Sequence, residues 1–178
     1  VSDAIVRIAA APGLTDSHGG APEDSIGGMR HFEDFAPGQI VELGQYPITK
    51  ESIVAFAREF DPQPFHLDEE AAKRSIYGGL LASGWHTGSI MMRLLYDGVV
   101  KDSVSLGSPG VDELRWLKPV RPGDTLSGRM TVLECVASRS KPDRGIIRSL
   151  LELRNQHGEV VLSIKGMSML GRRPAACG

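Results

Sequence analysis

Apolar and polar residues alternate from Gln39 to Ile48, the period of a strand with one buried face. Thr49 then stands where a helix N-cap is expected, and Ile53, Phe56, Ala57 and Phe60 recur at the spacing that places them on one face of a helix. Asp61-Pro62 ends that helix, because proline disfavours helical geometry in the residue before it and has no amide to donate. A second short helix is expected from Asp68, with Glu69 and Glu70 in its first turn and Lys73 and Arg74 in its last, as the helix dipole favours. Gly78-Gly79 breaks the chain again. After Ser83-Gly84, the stretch Trp85 to Tyr96 carries Trp85, Ile90, Met91, Met92, Leu94 and Leu95, so little polar face remains and this helix should be buried nearly all round. Gly98 is its expected stop.

Beyond it the pattern is that of strands. Leu114 and Trp116 open an alternating run, Pro119 to Asp124 is a turn, and Leu126, Met130 and Val132 then face one way while Thr125, Ser127, Arg129 and Thr131 face the other. Arg144 to Arg154 and Glu159 to Leu170 form two more strands, joined by a hairpin connection at Asn155-Gln156-His157-Gly158. One strand, helices including a buried central one, then a block of long antiparallel strands is an α+β pattern: a single hot-dog fold, an antiparallel sheet wrapped around a long central helix. Residues 1–29 have one short apolar run, Ile5 to Ala11, followed by glycines among Asp, Ser and His. They read as an N-terminal extension with too little apolar surface to order itself, and Met29 as the expected native start. The domain is expected over 30–172, with a tail at 173–178.

Composition narrows the partners. With 41% hydrophobic and 24% charged residues in 178, the chain is an ordinary globular one, and one domain is expected. A net charge of -2 gives no electrostatic reason to expect nucleic acid. Cys135 and Cys177 form neither a CxxC nor an evenly spaced set, which points away from disulfides and zinc. Without HExxH, clustered Cys/His or a Gly-rich phosphate loop, neither a metal nor a nucleotide redox cofactor is expected. No run approaches the roughly 20 apolar residues of a membrane span, and the first residues lack the features of a signal peptide, so the expected setting is cytoplasmic and the partner a small molecule.

The stretch Phe56-Ala57-Arg58-Glu59-Phe60-Asp61-Pro62-Gln63-Pro64-Phe65-His66-Leu67-Asp68 concentrates the chemistry. Prolines at 62 and 64 fix φ at two places and restrict the residues before them, so Asp61 and His66 can be held in one mutual geometry, as positioned catalysis requires. Alone, such an Asp is a cap or turn residue and such a His is structural. Within this proline frame an acid/base pair is the stronger reading. His86 reads as a satisfied core histidine, Trp85 as packing, and Met91 and Met92 as core material. Arg139, Lys141 and Arg144 crowd a turn and could meet phosphates, although a solvated loop explains them equally well.

This stretch resembles the hydratase motif of the MaoC-like dehydratase family, in which Asp, a polar amide, Pro and His recur at this spacing. Tyr77-Gly78-Gly79-Leu80-Leu81-Ala82-Ser83-Gly84 resembles that family's approach to its central helix, and Leu117-Lys118-Pro119-Val120-Arg121-Pro122-Gly123-Asp124-Thr125-Leu126 its strand-turn-strand signature, so the likeness runs from about Arg30 to Leu170. Departures are Gln63 and Ser83, where many members carry Asn and His, and Met92, where several carry a hydroxyl. The resemblance implies a hydratase/dehydratase interconverting trans-2-enoyl-CoA and (R)-3-hydroxyacyl-CoA, with Asp61 and His66 catalytic. On this reading His66 deprotonates the attacking water, and Asp61 holds that water and protonates C2. Gly84 implies an oxyanion amide at the start of the central helix, with Ser83 and Gln63 as further substrate-side candidates and Ser83 also a plain N-cap. The implied partner is an acyl-CoA or acyl-carrier thioester. Coenzyme A is then part of the substrate rather than a cofactor, and the assembly is at least a homodimer, with the acyl pocket between subunits. Two rivals share the fold or the pocket: a hot-dog acyl-CoA thioesterase and a non-catalytic acyl-CoA-binding module.

Overall fold

The computed structural model describes residues 28–174. The expectations for the N-terminal extension up to residue 27 and for Cys177 therefore fall outside the described residues. Five strands form one antiparallel sheet in the order β1-β3-β4-β5-β2: β1 Ile40–Pro47, β2 Gly110–Trp116, β3 Thr125–Ala137, β4 Arg144–Arg154 and β5 Val160–Gly171. The helices are α1 Lys50–Phe60, α2 Pro64–Leu67, α3 Glu69–Arg74 and α4 Gly84–Gly98. The expected α+β arrangement is present, with α4 lying on β1, β3 and β4.

The long strands carry the register. Along β4, Gly145, Ile147, Ser149, Leu151 and Leu153 are buried and alternate with more exposed neighbours, so one face of the sheet meets the helix. Leu126, Leu153 and Leu162 on three adjacent strands, with Met91 of α4, are at most 1% exposed and form the floor of the core. Each such side chain contributes about 2 kcal/mol relative to leaving it in water. The hairpin at Asn155–Gly158 joins β4 to β5 as its turn residues predicted.

Four local expectations need correction. Strand β2 begins at Gly110 and ends at Trp116, earlier than the alternation indicated, because its pairing with β5 sets its limits. Phe60 lies on α1 but is 63% exposed, while Ile53 and Ala57 are fully buried. A helix this short has room to bury one narrow stripe, and the last turn of α1 projects beyond it. Helix α4 is not buried all round: Trp85, Met92 and Tyr96 are 61%, 50% and 47% exposed. Its opposite face, with Ile90, Met91 and Leu94, meets the sheet. Trp85 and Met92 are thus not core material in this chain, whereas Met91 is.

Candidate active site

The proline frame folds into more than a loop. Thr49 caps α1 through a reciprocal pair with Ser52, whose amide donates to Thr49 Oγ1 at 3.1 Å while the Thr49 amide donates to Ser52 Oγ at 3.2 Å. The helix closes at Asp61, whose amide still donates to the Ala57 carbonyl. Pro64 then opens the single turn of α2, where its missing donor costs nothing. His66 sits within that turn and donates its amide to Gln63 O at 2.9 Å. A turn of helix, rather than an extended segment, brings the two side chains face to face. Alternation and periodicity could not reveal it, because four residues are too few to show a period.

Asp61 Oδ2 and His66 Nε2 lie 3.4 Å apart, and the imidazole is 6% exposed. His66 Nδ1 lies 2.8 Å from Leu81 O, a group that can only accept, so Nδ1 carries the proton. In the neutral ring Nε2 is then a lone pair turned toward Asp61. Phe65 packs edge-on against the imidazole with ring centres 4.5 Å apart. Asp61 accepts from Ser83 Oγ through Oδ2 at 2.7 Å and from Gln63 Nε2 through Oδ1 at 2.8 Å. Burial raises its carboxyl, but the Ser83 and Gln63 hydrogen bonds and the neighbouring His66 together outweigh that and hold it below the ordinary carboxylate range. Two acceptors, one a carboxylate and one an imidazole nitrogen, therefore converge on the same point.

Ser83 does two jobs. It is wholly buried, its Oγ accepts from Trp85 N at 3.2 Å as the N-cap of α4, and the same hydroxyl donates to Asp61. The cap was legible in the sequence; the bond to a residue 22 positions away was not. Gln63 likewise turns out to hold Asp61. Gly84 opens α4, and no described residue accepts a hydrogen bond from its amide. A side chain there would collide with the indole of Trp116, whose atoms lie 2.5 to 2.9 Å from the position of a Cβ. Trp116 Nε1 donates to Gly84 O at 2.8 Å, and its ring meets Trp85 edge to face at 5.3 Å. The absent side chain admits a tryptophan in this structure, a role that sequence reasoning missed because the partner comes from another strand.

All of these except Ser83, which lies behind Asp61 and is not on the wall, line one cavity of ≈ 460 Å³, whose walls include Phe65, Tyr77, Leu81, Trp85, Trp116 and Val120. It brings together Asp61, Gln63, His66 and Gly84. Lys118 also reaches it but is paired with Glu159. His86 stands apart: it is 7% exposed, stacked on Phe56 at 4.7 Å and not on the cavity wall. Its Nδ1 has no partner among the described residues, so it is a core histidine but not a satisfied one, and burial lowers its pKa to about 4. Arg139, Lys141 and Arg144 lie at the β3–β4 turn, at the opposite end of the sheet, roughly 40 Å of strand from Thr125. Within one chain the solvated-loop reading holds for them. No group of three or more His, Cys, Asp or Glu among the described residues could hold a metal ion. An acid beside an imidazole, the free Gly84 amide at a helix start and mostly apolar walls equip the cavity to move a proton on an uncharged, polarisable group.

A family model, the MaoC like domain, matches residues 34–150. An uncharacterized protein of Bacillus subtilis, YdeM, is 33% identical over 142 residues, covering 75% of this chain and 98% of that protein. A 3-hydroxybutyryl-CoA dehydratase of Methylorubrum extorquens is 28% identical over 116 residues, covering 62% of this chain and 69% of that protein. Among solved structures, a MaoC-like dehydratase from Rhodospirillum rubrum superposes with a TM-score of 0.74 and 44% identity, covering 82% of this chain and 99% of that one.

Proposed function

This chain belongs to the MaoC-like domain family, with its hot-dog fold, and from that premise we propose that it is a hydratase/dehydratase of acyl thioesters in which Asp61 and His66 are the acid/base pair. The reaction is water addition to a trans-2-enoyl thioester, giving the (R)-3-hydroxyacyl thioester, and its reverse. The 3.4 Å meeting of Asp61 Oδ2 and His66 Nε2 inside an apolar-walled cavity carries the proposal.

In the hydration direction a water held between the two groups attacks C3. Its proton goes to His66 Nε2, and the electron pair of the C2–C3 double bond moves toward the thioester oxygen. The Gly84 amide faces that developing charge at the start of α4, where the dipole also favours it. Collapse of the enolate takes a proton at C2, so one water is added and nothing is left over. The sequence reading gave that last proton to Asp61. The lowered carboxyl favours the other donor: His66, now protonated, returns the proton while Asp61, held by Ser83 and Gln63, orients the water and balances the imidazolium. Because the two groups are coupled, their titration belongs to the pair.

The chemistry asks for no cofactor beyond the carrier on the substrate. The proposed partner is an acyl-CoA or acyl-carrier thioester in the cytoplasm; no helix among the described residues is long and apolar enough to cross a membrane. The exposed Trp85, Met92 and Tyr96 of α4 support assembly as at least a homodimer, since a stripe of this kind gains most from being covered. Crotonyl-CoA and a panel of longer and branched enoyl-CoAs test the reading. Loss of the enoyl-thioester absorbance without free thiol is the expected result. Release of thiol would make the protein a thioesterase, and ligand binding without turnover would make it a binding module.

A further inference from the structure

The turn between β2 and β3 bonds the segment that holds His66. Arg121 Nη2 donates to Tyr77 O at 2.6 Å and Nη1 to Leu80 O at 3.3 Å. Two residues beyond Leu80, the Ala82 amide donates to Val120 O at 2.8 Å. The carbonyl of Leu81, which accepts from His66 Nδ1, is therefore bracketed: Leu80 O is fixed on one side by the guanidinium and Ala82 N on the other by the backbone of the same turn. The turn is itself closed, with Arg121 N donating to Asp124 Oδ2 at 2.8 Å and Asp124 N to Arg121 O at 3.1 Å. Gly79 lets the guanidinium lie against the chain, since a Cβ there would stand 3.0 Å from Nη1.

We propose that Arg121 is a positioning residue for His66, acting through the backbone at 77–82: it aims the Leu81 carbonyl at Nδ1 and so keeps Nε2 as the basic nitrogen. A planar guanidinium suits this task because it offers several donors in a fixed fork and stays charged, so its two carbonyl bonds hold their geometry across the pH range in which an imidazole works. A neutral imidazole free of its Nδ1 acceptor divides between two tautomers, of which one presents N–H to Asp61 and cannot accept from water. The catalytic consequence rests on the hydratase reading. The tautomer does not.

The test uses the full chain labelled with 15N-histidine, with the His66 signals identified by their loss in His66→Ala. At a pH where the imidazole is neutral, native protein should show a protonated Nδ1 and an unprotonated Nε2. In Arg121→Ala the two nitrogens should move toward each other as tautomers mix, kcat should fall about tenfold with KM within about twofold, and millimolar guanidinium should restore both readouts. Arg121→Lys, which reaches one carbonyl at a time, should lie between the two and serves if the alanine variant does not fold. Unchanged His66 nitrogen signals in a folded Arg121 variant would overturn the proposal. If native protein turns over no enoyl thioester, the hydratase reading fails while the nitrogen signals still decide the role of Arg121.

Discussion

The two ends of the long strands are built from similar residues and behave differently. At one end the turn Pro119–Asp124 carries Arg121, Pro122, Gly123 and Asp124; at the other the β3–β4 turn carries Lys141, Pro142, Asp143 and Arg144. Arg121 spends its guanidinium on carbonyls 41 and 44 residues away, whereas Arg144 pairs with Asp143 beside it. The first turn thereby becomes a wall of the cavity that holds Asp61 and His66; the second closes a hairpin in solvent. A basic turn takes its meaning from what lies within reach, and reach is set by the fold rather than by the residues of the turn.

Substitutions at each end can break that contrast or sharpen it. The largest effect is expected at Gly84→Ala, which places a methyl where the Trp116 indole now lies and forces the ring off the helix start. Overpacking of this kind costs about 1–3 kcal/mol, measurable as a lower urea midpoint, and turnover should fall with it; an unchanged midpoint would mean that Trp116 is not seated there.

His86 in the first turn of α4 makes the same end sensitive to acid. Its folded pKa of about 4 lies below the ordinary 6.5, so the fold binds its proton less tightly than the unfolded chain does. The stability this contributes is fully present above about pH 6.5 and is lost as the pH falls toward 4, a decline of about 2 kcal/mol that His86→Phe should abolish in chemical denaturation across that range. An identical acid decline in His86→Phe would assign it to other groups.

Ser83→Ala removes both the cap and the hydroxyl on Asp61. A stability loss of about 1 kcal/mol is expected from the cap, with kcat reduced about tenfold, while Ser83→Thr should keep much of both. The smallest effect belongs to the far end. Arg139→Ala and Lys141→Ala should change stability by less than about 0.5 kcal/mol and leave KM for a coenzyme A thioester within twofold. A large rise in KM would place carrier phosphates at that turn after all, contributed across an assembly.

What the sequence revealed, and what it hid, follows the same division between local and long-range causes. The cap at Thr49, the stop at Asp61-Pro62, strand β1 and the Asn155–Gly158 hairpin are each decided by neighbours in the chain, and each was legible. The pairing of Asp61 with His66 was legible because two prolines restrict the few residues between them. The single turn of α2, the Trp116 indole over Gly84, the Ser83–Asp61 bond and the Arg121 brace were not. Apart from the turn, each of these depends on a partner at least 22 residues away, and none leaves a periodic trace. The outer face of α4 was misread for a related reason: its apolar residues match a buried helix in composition, but among the described residues none covers them.

Asp61 and His66, at the braced end, carry the proposed chemistry. The most direct measurement follows the enoyl-thioester absorbance of crotonyl-CoA and free thiol together in native protein, Asp61→Asn and His66→Ala, with all three shown to be folded. The expected result is loss of the enoyl band without thiol in native protein, with turnover reduced by about a hundredfold or more in each variant. Native-like turnover in either folded variant would contradict it and move the chemistry to another part of the cavity.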